Sequence, residues 1–307
     1  MMIVRQVATT FGLCVGLNLI AAPVAAAENQ AGKGNAADAA CIAIESEDLE
    51  QLTGVLDRNP DAVRLNTAAT HVTPLICASQ WPEGTRLLLA RGADVKVANS
   101  EGVTALHEAA ANGNEEVVGL LLGAGANIGA REQVRRFTPL LVAAYKGESG
   151  VVRLLLDRGA DINAKDKDGA TALHLAAIED NRDTVRVLLE HGAKADVKSN
   201  GGVTALEVAR KQNSDAAVWL LEMYAKWGHD RATTANRLLD ASWKGDVAEI
   251  ERIAGADAEL LKATNDLGYS SSRTPIFPSG SSGCSWSFHH GCRPPSFTSG
   301  TPAGSAA

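Results

Sequence analysis

Aromatic side chains are scarce, at 4% of the 307 residues, so an apolar content of 45% rests largely on Ala, Leu and Val. Such residues suit closely packed helices better than the strands of a β-sandwich, which favour aromatic and β-branched side chains. Basic charge is not in surplus either. The formal net charge is −7 and the isoelectric point is about 5.5. That balance argues against nucleic acid as a main partner, because phosphate binding needs a basic face. No phosphate-binding P-loop, dinucleotide Gly pattern, Gly-x-Ser-x-Gly elbow or His-Glu-x-x-His helix is present. Beyond the first residues no apolar run is long enough to span a bilayer.

The first 27 residues form a compositional unit of their own. Arg5 supplies a short positive region, and an uncharged apolar stretch runs from Val7 to Ile20. Small residues follow at Ala25 and Ala27, then polar Glu28, Asn29 and Gln30. This is the layout of a secretory signal peptide. The alternative is an uncleaved anchor, but the run falls short of the ~20 residues a spanning helix needs. Export to a periplasm or to the medium is therefore expected, with no membrane attachment after cleavage. Of the cysteines past this segment, Cys284 and Cys292 lie near the C-terminus. Cys41 and Cys77 sit inside helical patterns, where small buried thiols are the expectation. Export permits disulfides, yet the spacing defines no framework.

What the chain does have is repetition. The phrases Thr73-Pro74-Leu75, Thr104-Ala105-Leu106-His107, Thr138-Pro139-Leu140, Thr171-Ala172-Leu173-His174 and Thr204-Ala205-Leu206 recur at intervals of 31, 34, 33 and 33 residues. About twenty residues later comes a second phrase, seen in Leu87-Leu88-Leu89-Ala90-Arg91-Gly92-Ala93 and again before Gly125, Gly159 and Gly192. With these two phrases in register over five units, the chain resembles the ankyrin-repeat family, across roughly residues 36–265. The expected fold is an all-α repeat solenoid, an array of stacked helix-turn-helix units with short β-hairpin fingers. Each Thr would cap a first helix, with Pro or Ala at its first position. Each Gly would end a second helix in the left-handed conformation, and Asp168-Gly169 would turn a finger. No unit can bury its core alone, so neighbours must stack.

The expected boundaries are a signal peptide over 1–27, a capping helix pair over 36–66, five repeats over 67–229 and a further ankyrin-like helix pair over 230–269. The second helix of the fifth repeat is extended, ending near Gly228. Residues 270–307 hold 11 Ser, 5 Gly and 5 Pro among 38, with no acid. Such a segment buries too little to fold. It reads either as a disordered tail or as the product of a frameshift, since it interrupts the array where the next Thr-Pro-Leu phrase is due. The last helix pair is thereby left under-covered.

The chemical candidates are few. His107 and His174 occupy one position in two repeats, where the resemblance implies a bridge between neighbouring fingers and not a catalytic or metal role. Cys284, His289, His290 and Cys292 are close together, but in surroundings unlike a supported zinc site; a local disulfide is the alternative. No cofactor or metal is expected, and the protein is read as a non-enzyme. The resemblance implies binding of a protein partner through the finger tips and the concave face of the first helices. Carried over by position, that surface includes Trp81, Asn112, Phe137, Tyr145, Lys146, Ile178, Glu179 and Lys211. To these the unusual third finger adds Arg135 and Arg136, next to Arg131. Trp81, Phe137, Tyr145 and Ile178 are expected as exposed apolar hot spots, although Trp81 and Phe137 could instead pack within the array. The chain is expected to act as a monomer, either as an exported binding module or as a secreted effector that engages host proteins. An enzyme built on the array is a weaker alternative.

Overall fold

The computed structural model describes residues 36–67 and 71–244, with 246, 248–249 and 252–253. The signal-like segment, most of the expected pair beyond residue 245 and the Ser/Gly/Pro-rich stretch lie outside the described residues.

The helices come in pairs. A first pair, α1 (Ala36–Glu45) and α2 (Leu49–Arg58), is followed by a 3-10 turn over Pro60–Arg64. The repeats then give α3 (Pro74–Cys77) with α4 (Pro82–Ala90), α5 (Ala105–Ala111) with α6 (Glu115–Gly123), α7 (Pro139–Lys146) with α8 (Ser149–Asp157), α9 (Ala172–Ile178) with α10 (Arg182–Glu190), and α11 (Ala205–Gln212) with α12 (Asp215–Lys244). First helices stack on first helices: α5 on α7, α7 on α9 and α9 on α11. Second helices form a parallel row in the order α2, α4, α6, α8 and α10.

The recurring phrases explain these elements. Thr73 and Thr138 accept from the backbone N–H three residues on, of Ile76 and Leu141, and Pro follows each at the first helical position. Thr204 forms a full capping box with Glu207, whose carboxylate accepts from the Thr204 N–H at 2.8 Å. The small residues of the first helices are sealed at the row's centre, where Ala109, Ala110, Ala143, Ala144, Ala176 and Ala177 are buried. Cβ-sized side chains let neighbouring helix backbones approach closely, while Leu88, Leu121, Leu155 and Leu188 fill the space toward the second row. Gly92, Gly125, Gly159 and Gly192 all have φ between 82° and 88°, the left-handed stop read from the sequence.

Between a second helix and the next first helix lies a finger. The fingers are numbered by the Thr that follows, from the first at Thr73 to the fifth at Thr204. Hairpin pairing is pared down to isolated bridges, Ala98 with Thr104 and Lys198 with Thr204, and tight turns supply the rest.

Two compact units divide at Arg237 and Leu238. The helix α12 contains a break at Gly228, with φ 74° and ψ 173°, where the extended second helix was expected to end. In the unit that begins at Leu238, Leu238, Ala241 and Ile253 are buried and Arg252 pairs with Glu249 at 2.7 Å. Of the further helix pair expected over 230–269, residues 245, 247, 250–251 and 254–269 are not among the described residues.

The thiol expectation is corrected at the N-terminal end. Cys41 of α1 and Cys77 of α3 are joined in a disulfide, with Cα atoms 5.7 Å apart. Cys41 is indeed buried, but its neighbour across the helix row is the second cysteine, about one repeat along the chain.

Candidate interaction surface

The second, third and fourth fingers each close on one side chain near the base. Asn99 Oδ1 accepts from the N–H groups of Glu101 and Val103, both at 2.9 Å. Asp166 does the same for Asp168 and Ala170, at 2.9 and 2.7 Å. In the third finger the equivalent residue is Glu132, and its carboxylate accepts from three N–H groups: Val134 at 2.6 Å, Arg135 at 2.7 Å and Phe137 at 2.9 Å. The change of residue has a geometric reason. The clamp spans four residues in the second and fourth fingers but five in the third, and the extra methylene of Glu covers the difference. Glu132 is only 3% exposed, so its charge is satisfied by the backbone and does not face solvent. At Asp166 burial pushes the carboxyl pKa up, and the two N–H donors hold it back.

The fingers are also bonded to one another. Gln133 N–H donates to the Glu101 carbonyl at 2.8 Å, Lys167 N–H to Arg135 at 2.9 Å and Asn200 N–H to Asp168 at 2.9 Å. Asn200 adds its side-chain amide to the Lys167 carbonyl at 3.1 Å. Fingers two to five therefore form one hydrogen-bonded edge. Gly169 is required there: its φ is 75°, and a Cβ would stand 2.8 Å from the Asn200 backbone nitrogen.

His107 and His174 anchor this edge to the helices. His107 Nδ1 accepts from the Thr104 N–H at 3.2 Å, which leaves the proton on Nε2 to be donated to the Phe137 carbonyl at 3.1 Å. His174 repeats the arrangement with Thr171 and the Val203 carbonyl, at 3.3 and 3.1 Å. Both rings are buried, and that burial lowers both pKa values against the carbonyl bonds, which raise them. The bridging role inferred from the resemblance is the one observed. Elsewhere among the described residues, no group of three or more His, Cys, Asp or Glu is placed to hold a metal ion. No described helix is long and apolar enough to cross a membrane.

Two of the expected contact residues are not on the surface. Trp81 is 7% exposed and Phe137 1% exposed. Trp81 precedes Pro82 at the start of α4, and its indole lies over Gly84, where a Cβ would come within 2.1 Å of the ring. Phe137 immediately precedes a capping Thr, a site that turns its side chain into the array, as it does for Val72 and Val103. Such inward sites are ordinary core, so the exposure expected for Trp81 and Phe137 is corrected.

The other expected residues stay accessible. Tyr145 is half-buried, with its ring centroid 6.4 Å from that of Phe137. Its phenol pKa is raised by burial and further by Glu179 alongside. Arg135 lies 5.7 Å over the Phe137 ring. The structure thus brings Arg135, Phe137, Tyr145 and Glu179 together around one buried ring. Lys146, Glu179, Arg136 and Lys211 are exposed and Ile178 half-buried. Asn112 is a linker more than a free contact, donating to Ser79 Oγ at 3.3 Å. Sequence reasoning passed over Glu132 and Val134. The signal for Glu132 was available, since an acid or amide recurs near the base of each of the second to fourth fingers. Val134, at the third tip, is 46% exposed.

Comparison with known proteins agrees with this geometry. A family model described as ankyrin repeats (3 copies) matches residues 39–132, 84–166 and 140–230, together more than half of the chain. The chain belongs to the ankyrin-repeat family. Among curated proteins it is 43% identical over 98 residues to "Protein PhlB" of Serratia liquefaciens. That stretch is 32% of this chain and 43% of the relative, so the match spans less than half the length of either protein.

Proposed function

We propose that this protein is an exported, non-catalytic module that holds a partner protein on its finger edge and on the adjoining ends of the first helices. The observation that carries the reading is the set of cross-finger backbone bonds at Gln133, Lys167 and Asn200. Fingers fixed to one another before binding lose little conformational entropy when a partner docks. Ankyrin repeats are in general protein-interaction modules, which favours a protein as the ligand. Two features support export: the signal-like leader, and the Cys41–Cys77 disulfide, a bond that persists in oxidising compartments and is rare in a reducing cytosol.

Two experiments test the reading. In fractionated cells the chain should appear outside the cytosol, with Cys41 and Cys77 protected from thiol alkylation. A cytosolic chain with both thiols free would remove export. In affinity capture from that compartment, the wild-type chain should enrich one protein, and Tyr145→Ala with Lys146→Ala should weaken its retention. Capture undiminished in that double variant would move the surface elsewhere.

A further inference from the structure

The finger edge carries a charge pattern opposite to that of the whole chain. Arg131, Lys165 and Lys198 occupy the same place in three successive fingers. Arg131 donates to the Lys165 carbonyl at 2.6 Å, and Lys165 Nζ reaches the Lys198 carbonyl at 3.5 Å. Arg135, Arg136 and Lys167 stand at the adjoining turns. Arg135 is half-buried and the other five are exposed.

Two of the three acids interleaved with these cations are already occupied. Glu132 and Asp166 are turned inward onto backbone N–H groups. That leaves Asp168 as the outward carboxylate of the stretches 131–137, 165–170 and 198–203. Among the described residues none of the six cations forms an ion pair, whereas Arg86, Arg91, Arg153, Arg186 and Arg210, on or just after the helices, all do. On a chain of net charge −7, six cations outside ion pairs on one bonded edge, of which Lys198 has the Glu207 carboxylate in its neighbourhood, form a local positive field. Val134 lies within it as an exposed apolar side chain.

We infer that the edge of fingers three to five docks an acidic segment of the partner protein, whose carboxylates meet Arg135, Arg136, Lys167 and Lys198 and which rests an aliphatic side chain on Val134. This inference rests on the interaction-module reading and specifies the partner's chemistry. A planar guanidinium takes a carboxylate in two parallel bonds, which gives the contact geometry as well as charge. Arg135 is held near the patch by its cation–π contact with Phe137, 5.7 Å from the ring centroid. A peptide is favoured over a polyphosphate because the patch includes an outward acid, Asp168, and an apolar contact, Val134. A phosphate backbone would oppose the first and ignore the second.

Selection of random twelve-residue peptides on the full chain tests it, with a helical protein of equal charge as the control bait. Enriched peptides should be acidic with at least one aliphatic residue. A fluorescein-labelled member should bind about tenfold more weakly to Arg135→Glu/Arg136→Glu and, separately, to Lys167→Glu/Lys198→Glu, as reversal at close charge pairs does. Both variants should keep the wild-type circular dichroism, and their binding should depend less steeply on salt. Enriched peptides that are neutral or basic, or that bind both variants as tightly as wild type, would overturn the inference and leave the interaction-module reading standing. No enrichment over the control would remove both. Equal, equally variant-sensitive binding of a twelve-base-pair DNA or of phosphatidylglycerol vesicles would replace the acidic peptide with a general polyanion.

Discussion

The N-terminal end of the array and its middle solve the same problem with different chemistry. Neighbouring units must be held in register by something more specific than apolar contact. In the middle, His107 and His174 key one unit to the finger of the next through a carbonyl, and backbone bonds join the fingers. At the N-terminal end the His key is missing. The capping pair has no Thr-Pro-Leu-His phrase, and the first full repeat puts Ile76 where the bridging His belongs. The Ile76 side chain is buried and has no group to donate. There a covalent bond, Cys41–Cys77, holds the capping pair to the first repeat. The disulfide thus stands at the boundary whose upstream unit lacks the phrase, one boundary before the one that Ile76 would key.

The largest expected effect comes from removing the covalent constraint. The bond closes a loop of sequence separation 36, and loss of such a crosslink costs about 2–4 kcal/mol. Cys41→Ala/Cys77→Ala should lower the thermal midpoint, with hydrogen exchange accelerated in α1–α3 and little changed in α7–α10. Uniform acceleration along the array would break the contrast between the two ends. Adding Ile76→His to that variant should recover about 1 kcal/mol by supplying a donor for the Val103 carbonyl. No recovery would mean that a key between the first and second repeats cannot offset the bond lost at the boundary before it.

Next in size is the hydrogen-bonded key itself. His107→Leu leaves the Thr104 N–H without its ring acceptor and the Phe137 carbonyl without its ring donor, at about 1–3 kcal/mol. Chemical denaturation would measure it. A change below about half a kcal/mol would show that Leu serves as well there as Leu141 does in the third repeat.

The third-finger clamp should matter somewhat less. Glu132→Asp is too short for a five-residue span and should cost about 1–2 kcal/mol. Deleting one residue from that finger should restore most of the loss, because Asp166 closes a finger of the shorter length. Failure of the shortened finger to rescue would refute the length argument.

The smallest effect is a pH dependence. The folded pKa values of His107 and His174 are depressed by burial below 6.5. The unfolded chain therefore binds more protons just below pH 6.5, and the stability these rings contribute is present above that pH and lost as pH falls through the folded values. Glu108 works in the opposite direction. Burial raises its pKa above 4.5, so its contribution falls as pH rises from there. Glu108→Gln should accordingly steepen the loss of stability on acidification, and His107→Leu should flatten it. Parallel denaturation profiles for all three proteins would contradict both assignments.

Much of the array was legible because ankyrin units write their local rules into a short phrase. The Thr caps, the left-handed glycines and the two bridging histidines all act within one repeat or across one boundary at a fixed offset. What escaped depends on particular neighbours in space. Trp81 folds over Gly84 of its own unit, and Phe137 occupies the inward site just before a capping Thr. The pairing of Cys41 with Cys77 needs the register of the capping pair against the first repeat, and the capping pair lacks the phrase that would set it. Glu132 resembles any solvated acid until the extra finger residue is counted against the neighbouring Asn99 and Asp166.

Amide hydrogen exchange at Gln133, Lys167 and Asn200 tests most directly whether the finger edge is formed before a partner arrives. These three exposed loop amides donate across finger boundaries. In the free protein they should exchange slowly, with protection comparable to that of the flanking first helices. Exchange at the rate of unprotected loop amides, with protection gained only on binding, would contradict a preformed edge.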